Sequence, residues 1–377
     1  MWKIWKMVMF MMTSNNTTWA GLDLSSLFLV FGKPARWFVA VLMFCVPTTN
    51  GVGLDDELDR QIDVSLRKAA AWLANNQQPN GAWTTPQHGD STAATSLAVM
   101  ALLAAGHAPE EGPYGRNLSR GVAWVIGQQN TNGLLVGENR SHGPMYSHGI
   151  ATLMLAEVAG MVSGDLAEQC QVSLEKAVRL IIDSQNQPKA AQHDGGWRYQ
   201  PNSTDSDLSV TAWQLLALRA AKDIGCDIPS RNIDRAIAYI KRLAVKRGGG
   251  FGYMGSHGAT ITRAGCGIVA LEVCGDHRGK ESLAAANMIL TRPLTSDVDY
   301  FYYASYYCTV GMYKVGGDEW QAARPALYQT ILQKQKFNGN WQPVKGGETK
   351  SGGDVYATAM AMLAMAIEYG YLPIYQR

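Results

Sequence analysis

"RKAAAWLANNQQPNGAW" (67–83) joins an amphipathic stretch to a turn that reads Gln-x-x-x-Gly-x-Trp, with Gln77, Gly81 and Trp83 at the fixed places. The pattern returns in "RGVAWVIGQQNTNGLL" (120–135), where Leu135 stands for the tryptophan, and in "RPALYQTILQKQKFNGNW" (324–341). Two weaker copies lie between. "EKAVRLIIDSQ" (175–185) reaches its Gly-Gly-Trp at Trp197 after an insertion, and "DRAIAYIKRLAVKRGGGF" (234–251) ends on Phe251 without the glutamine. A sixth copy fits around 282–290 with its turn motif lost. Self-similarity at a roughly constant period marks a repeat architecture, in which each unit buries its apolar face against its neighbours.

A second, more apolar stretch follows each turn: 91–105, 147–162, 208–222, 260–273, 300–314 and 355–369. "TSLAVMALLAA" and "ATAMAMLAMAI" are apolar nearly all round, as expected of helices buried on both sides, whereas the first helix of each pair keeps a polar face for solvent. Six outer–inner helix pairs predict an all-α, closed two-layer ring. No Pro- or Ser-rich linker follows residue 54, so residues 55–377 read as one domain. With 47% hydrophobic and 17% charged residues and a formal net charge of +2, the 377-residue chain carries no charge excess that calls for nucleic acid.

Residues 1–54 read as a leader. "GKPARWFVAVLMFCVPTTNG" (32–51) places Lys33 and Arg36 before an apolar core at about 37–46 and small polar residues after it. That is the order of a secretory signal peptide; a buried strand or helix is the alternative. The core is too short to span a bilayer, which takes about 20 residues. The reading predicts an exported protein, not transmembrane after signal removal, whose mature chain begins between Val46 and Leu54. Translation would start nearer Val30 than Met1. Of the six cysteines, Cys45 would leave with the signal, and the other five read mostly as buried thiols.

"QQPNGAW", "GGWRY", "GGGFGY" and "QKFNGNW" resemble the QW repeat of squalene–hopene cyclases and the related repeat of protein prenyltransferase β subunits, over most of 55–377. The resemblance implies an (α/α)6 toroid with a central apolar cavity, in which the glutamine and tryptophan tie successive outer helices together. Complement-like thioester domains share the toroid, but their Gly-Cys-Gly-Glu-Gln is missing; "AGCGIVAL" around Cys266 is only superficially similar.

The known chemistries of that superfamily fit poorly. Its class II cyclases protonate an alkene with the middle aspartate of D-x-D-D-T-A. Aligned on Thr211-Ala212, Asp207 takes the first aspartate, Ser209 the donor and Val210 the last, while Asp205 falls one helical turn too early. A serine hydroxyl is far too weak an acid for that step. The prenyltransferase D-x-Y-H-T resembles "DVYAT" (354–358), with Ala357 at the zinc-binding histidine, and Cys308 is far from Asp297 and Asp299. Aspartates at inner-helix starts, among them Asp90, Asp205, Asp207, Asp299 and Asp354, also suit simple capping of free N–H groups.

One pattern exceeds capping. His88, His142, His148, His193 and His257 lie in the turns or first residues leading into inner helices. A closed ring points those helix starts the same way, gathering the aspartates with Tyr146, Tyr199, Arg263 and Tyr356. The tyrosine-rich "DYFYYASYYC", with Tyr303, adds an aromatic wall. Such a mouth can bind a ligand, hold a metal through His and Asp, or perform acid–base chemistry. No phosphate loop, Ser-His-Asp order or H-E-x-x-H chooses among these. The first expectation is a binding module that takes an apolar small molecule or peptide, with no cofactor required. The second is an enzyme on an isoprenoid or other apolar substrate, with Asp207 or Asp205 as acid.

Overall fold

Twelve helices alternate between two layers in the computed structural model, which describes residues 54–137 and 143–376. The leader up to residue 53, with its apolar core, and His142 lie outside the described residues. The outer helices are α1 (Leu54–Asn75), α3 (Gly115–Gly127), α5 (Gly164–Gln185), α7 (Ser230–Arg242), α9 (Lys280–Thr291) and α11 (Gly317–Leu332). The inner helices are α2 (Thr92–Ala104), α4 (Pro144–Val158), α6 (Leu208–Asp223), α8 (Ile261–Val273), α10 (Phe301–Val315) and α12 (Gly353–Met365). Each inner helix packs on the inner helices before and after it, and α12 packs on α2, which closes the ring.

Burial follows the layers. Nearly every residue of α2 is buried, whereas α7 buries only Asn232, Ile233, Ala236, Tyr239 and Ile240, a stripe at helical spacing. The repeated turn explains how neighbouring pairs are held. Gln77 Nε2 donates to Gly81 O in its own turn and to Asn117 O on α3, each at 2.9 Å. Gln129 and Gln185 do the same toward Ser173 on α5 and Asn232 on α7, each at 2.8 Å. Gln335 reaches Ser65 O on α1 at 2.9 Å, so the last turn is bonded to the first helix. Trp83, Trp197 and Trp341 each donate Nε1–H to their own outer helix at 2.8 Å, at Leu73, Ile181 and Ile331. Their backbone N–H groups donate to Thr95, Thr211 and Thr358 on the inner helix.

Glycine is required in this turn for two reasons. Gly81 sits at φ 99°, and a Cβ there would lie 2.5 Å from Arg120 O on the next outer helix. Gly339 repeats both features against Lys68 O.

The element ends differ from expectation where a local rule intervenes. α4 begins at Pro144, because proline is pre-organised for a first helical position. α12 stops at Met365, and a tight turn at Ile367–Tyr369 ends on Gly370 in the left-handed region. Residues 366–376 then pack on the far ends of the inner helices. Among the described residues the five cysteines are free thiols; Cys170, Cys266 and Cys308 are buried, and Cys226 and Cys274 are half-buried.

Candidate functional site

The first turns of the inner helices enclose a cavity of about 960 Å³. Its deeper wall is apolar: Leu97, Ile150, Cys266 and Trp213. Nearer the helix starts it carries hydroxyls, from Ser91, Ser147, Ser209, Thr260 and Thr262. Six tyrosines complete the wall: Tyr146, Tyr199, Tyr253, Tyr300, Tyr303 and Tyr356.

Trp213 lies one helical turn beyond Ser209 on α6, so it forms the floor beneath that hydroxyl. Its ring stacks on Tyr306 at 5.8 Å with 4° between the planes. At the rim, Tyr146 Oη lies 2.6 Å from Ser209 Oγ, and Ser209 donates to Asp207 Oδ1 at 2.8 Å. The serine proton is thus committed, and Tyr146 is the donor of the first bond. Tyr199 and Tyr253 share a hydrogen bond of 2.5 Å, with the Arg198 guanidinium 4.6 Å and 5.5 Å from their ring centres. Burial holds Tyr146, Tyr303 and Tyr356 well above the usual phenol range, with Asp207 adding to the effect at Tyr146. They are neutral hydroxyls at physiological pH. Burial also lowers Arg263, whose Nη2 donates to Gly258 O.

Of the twelve expected site residues, His88, Tyr146, Arg263, Asp299, Tyr303 and Tyr356 line this cavity. The other six do not, and each has a physical reason. Asp207 is buried as the cap of α6, where Oδ1 accepts from Val210 N–H at 3.0 Å, and Arg198 stands 3.5 Å from Oδ2. Burial, the largest influence, raises its carboxyl against those bonds. It reaches the cavity only through Ser209. Asp205 is half-buried and pairs with Arg198 at 3.5 Å. Asp90 accepts from Asn80 Nδ2 at 2.7 Å, and Ser91 caps α2 in its place. Asp354 accepts from Asn340 at 2.8 Å and Gln342 at 3.3 Å. His257 lies in an exposed loop.

His148 is the clearest correction. It is fully buried between layers: Nδ1 accepts from Leu135 N–H and Nε2 faces Ala177 O on α5, both at 3.1 Å. It therefore stands in the second repeat where Thr95, Thr211 and Thr358 stand in others, beside the leucine that replaces tryptophan. Burial pushes its pKa down to about 4, so it is neutral and structural. His193 likewise works within its loop, accepting from Ser206 at 3.3 Å.

Sequence reasoning missed Trp213, Tyr253 and above all Glu348, and took in Tyr300 only within its tyrosine-rich stretch. Glu348 stands in "KGGETKSGG" (345–353), between glycine pairs before the last inner helix. That placement, which has no counterpart in the other repeats, is the available signal. Tyr300, in the left-handed region at φ 55°, gives α10 no side-chain cap. Glu348 supplies it from the neighbouring pair: Oε1 accepts from Tyr302 N–H at 3.0 Å and Tyr303 N–H at 3.1 Å. Burial, opposed by these donors, pushes its carboxyl up to about 7. Among the described residues no three His, Cys, Asp or Glu side chains come together as a metal site. Among them, too, no helix is long and apolar enough to cross a membrane.

Several solved structures share this architecture at low identity. A variant of the type II terpene cyclase MstE from Scytonema, in complex with its substrate geranylgeranyl dihydroxybenzoate, matches with a TM-score of 0.55 and 14% identity, over 85% of this chain and 100% of that one. Cellobiose 2-epimerase from Bacillus thermoamylovorans matches with a TM-score of 0.61 and 12% identity, over 83% and 98%. A glycosidase variant in complex with glucose gives 0.57 and 14%, over 85% and 100%. No family model matches the chain, and no curated protein matches it. The shared feature is the α/α-toroid; a terpene and a sugar are chemically unlike, so the fold alone selects neither.

Proposed function

We propose that the chain is an exported binding protein that takes an apolar small molecule with an oxygen-bearing end into the cavity of the toroid. The observation that carries this is the two-part wall: an apolar, aromatic floor at Leu97, Ile150, Cys266 and Trp213 beneath a rim of serine, threonine and tyrosine hydroxyls. A volume of about 960 Å³ falls within the usual range for small-molecule pockets, about 300–1,000 Å³. It favours a small molecule over a folded peptide. The neutral phenols can donate to or accept from an alcohol or carbonyl without placing a charge beside it. The molecule held by MstE has the same two-part character, a geranylgeranyl chain on a hydroxylated ring.

Calorimetry with geranylgeraniol and with cellobiose tests the reading. Saturable binding of geranylgeraniol is expected. Binding of cellobiose without geranylgeraniol would overturn it in favour of a sugar site. Export is tested apart from binding, by N-terminal sequencing of the protein from the extracytoplasmic fraction; the expected start lies between Val46 and Leu54, and an intact leader on a cytoplasmic protein contradicts it.

A further inference from the structure

The cavity wall holds two carboxylates of opposite character. Asp299 has an 82% exposed side chain and lies 3.7 Å from Lys345 Nζ. Glu348 is 1% exposed. One of its oxygens is fixed by the Tyr302 and Tyr303 N–H groups, and the other, Oε2, is buried with no partner among the described residues. A buried, ionised carboxylate with a bare oxygen is costly, whereas the neutral acid is cheaper and its O–H calls for an acceptor.

We infer that Glu348 supplies the cavity with a hydrogen-bond and proton donor, aimed at an alcohol, carbonyl or ether oxygen of the apolar molecule bound there. The inference rests on the binding reading above and names the polar half of its ligand. If the proton moves, the Oε2–H bond breaks as the ligand oxygen gains O–H. The charge left on the carboxylate faces two backbone donors at the start of α10, where the helix dipole also favours it. With the carboxyl near 7, acid and base forms are both populated at neutral pH.

The groups around Glu348 leave its titration its own. Tyr302 and Tyr303 of α10 and Tyr356 of α12 are held above the usual phenol range by burial. Tyr300 abuts the same turn at Gly347. Asp354 of α12 is engaged by Asn340 and Gln342, Asp299 faces Lys345, and His88 lies on the cavity wall contributed by the segment before α2.

N,N′-dicyclohexylcarbodiimide is an apolar probe that reacts with protonated carboxyls. The acid O–H adds across one C=N bond, and the adduct rearranges to a stable N-acylurea that peptide mass spectrometry locates. Labelling of Glu348 is expected at pH 6, with a fall of about tenfold by pH 8, in step with the protonated fraction of a group near 7. Glu348→Gln, which keeps an acceptor for the α10 N–H groups, should leave that peptide unlabelled. Glu157, neutral but away from the cavity, should remain unlabelled and so controls for access. No adduct on Glu348 at either pH, or one indifferent to pH, overturns the inference even if geranylgeraniol binds. Labelling that follows pH but is not blocked by geranylgeraniol supports the donor and counts against the binding reading.

Discussion

At one end of the inner layer, Glu348 shows one oxygen to two N–H groups, leaves the other bare and borders a cavity. At the other end, Glu157 on α4 is 3% exposed and both its oxygens face Ile374 N–H, at 3.2 and 3.4 Å. Burial pushes the first up to about 7 and the second up to about 8. The shift alone would make Glu157 the more fully protonated carboxyl at neutral pH. Geometry separates the two, because Glu157 is bonded by Ile374 of the turn Pro373–Tyr375 and does not line the cavity. A displaced carboxyl pKa marks burial; only an adjoining cavity makes it a candidate site.

The two ends are also mechanically joined. Trp213, the cavity floor, stacks on Tyr306, and the Tyr306 hydroxyl bonds that of Tyr375 in the C-terminal segment. Trp213→Ala should therefore have the largest effect, a loss of about 3–5 kcal/mol, as for other buried aromatic truncations. Chemical denaturation measures it. A variant as stable as the parent would mean that the closed end does not support the open one.

The two glutamates separate next. Each is neutral in the fold above the pH where the unfolded chain ionises, about 4.5, so the unfolded state binds fewer protons. Stability from this source is full below that pH and falls as pH rises, toward 7 for Glu348 and toward 8 for Glu157. Glu348→Gln and Glu157→Gln should each flatten the pH–stability curve, by on the order of 3 and 4 kcal/mol respectively at pH 8. Only Glu348→Gln should also remove the pH dependence of geranylgeraniol binding. Equal effects of both on binding would erase the distinction between the ends.

Gln335→Ala should cost about 1–2 kcal/mol, since it removes the bonds to Ser65 and Gly339 that close the ring. Both ends should loosen together in hydrogen exchange. Asp207→Asn should have the smallest effect, within about 1 kcal/mol in thermal melts, because asparagine still caps α6. A large loss would show that the buried charge, paired with Arg198, carries more than the cap.

The repeat was legible because its parts act through the turn that contains them. Gln77, Gly81 and Trp83 recur at fixed spacing, and each partner sits at the same place in the next unit. The cavity was half legible. A helix start can be read from sequence, but the direction of a side chain depends on rotation of about 100° per residue. Hence Ser209 lines the cavity while Asp207, two residues away, caps backbone; Ser147 lines it while His148 faces the outer layer. The role of Glu348 could not be read because the N–H groups it caps lie 45 and 46 residues away, on a helix that provides no cap of its own.

Occupancy of the cavity itself is measured most directly by native mass spectrometry of the parent and Ala93→Trp, each with geranylgeraniol. Ala93 lines the cavity from the first turn of α2, and an indole there would project into the space a ligand needs. A one-to-one complex is expected with the parent, and its loss in Ala93→Trp at an unchanged melting temperature. The same complex in both proteins, or in neither, would contradict that expectation.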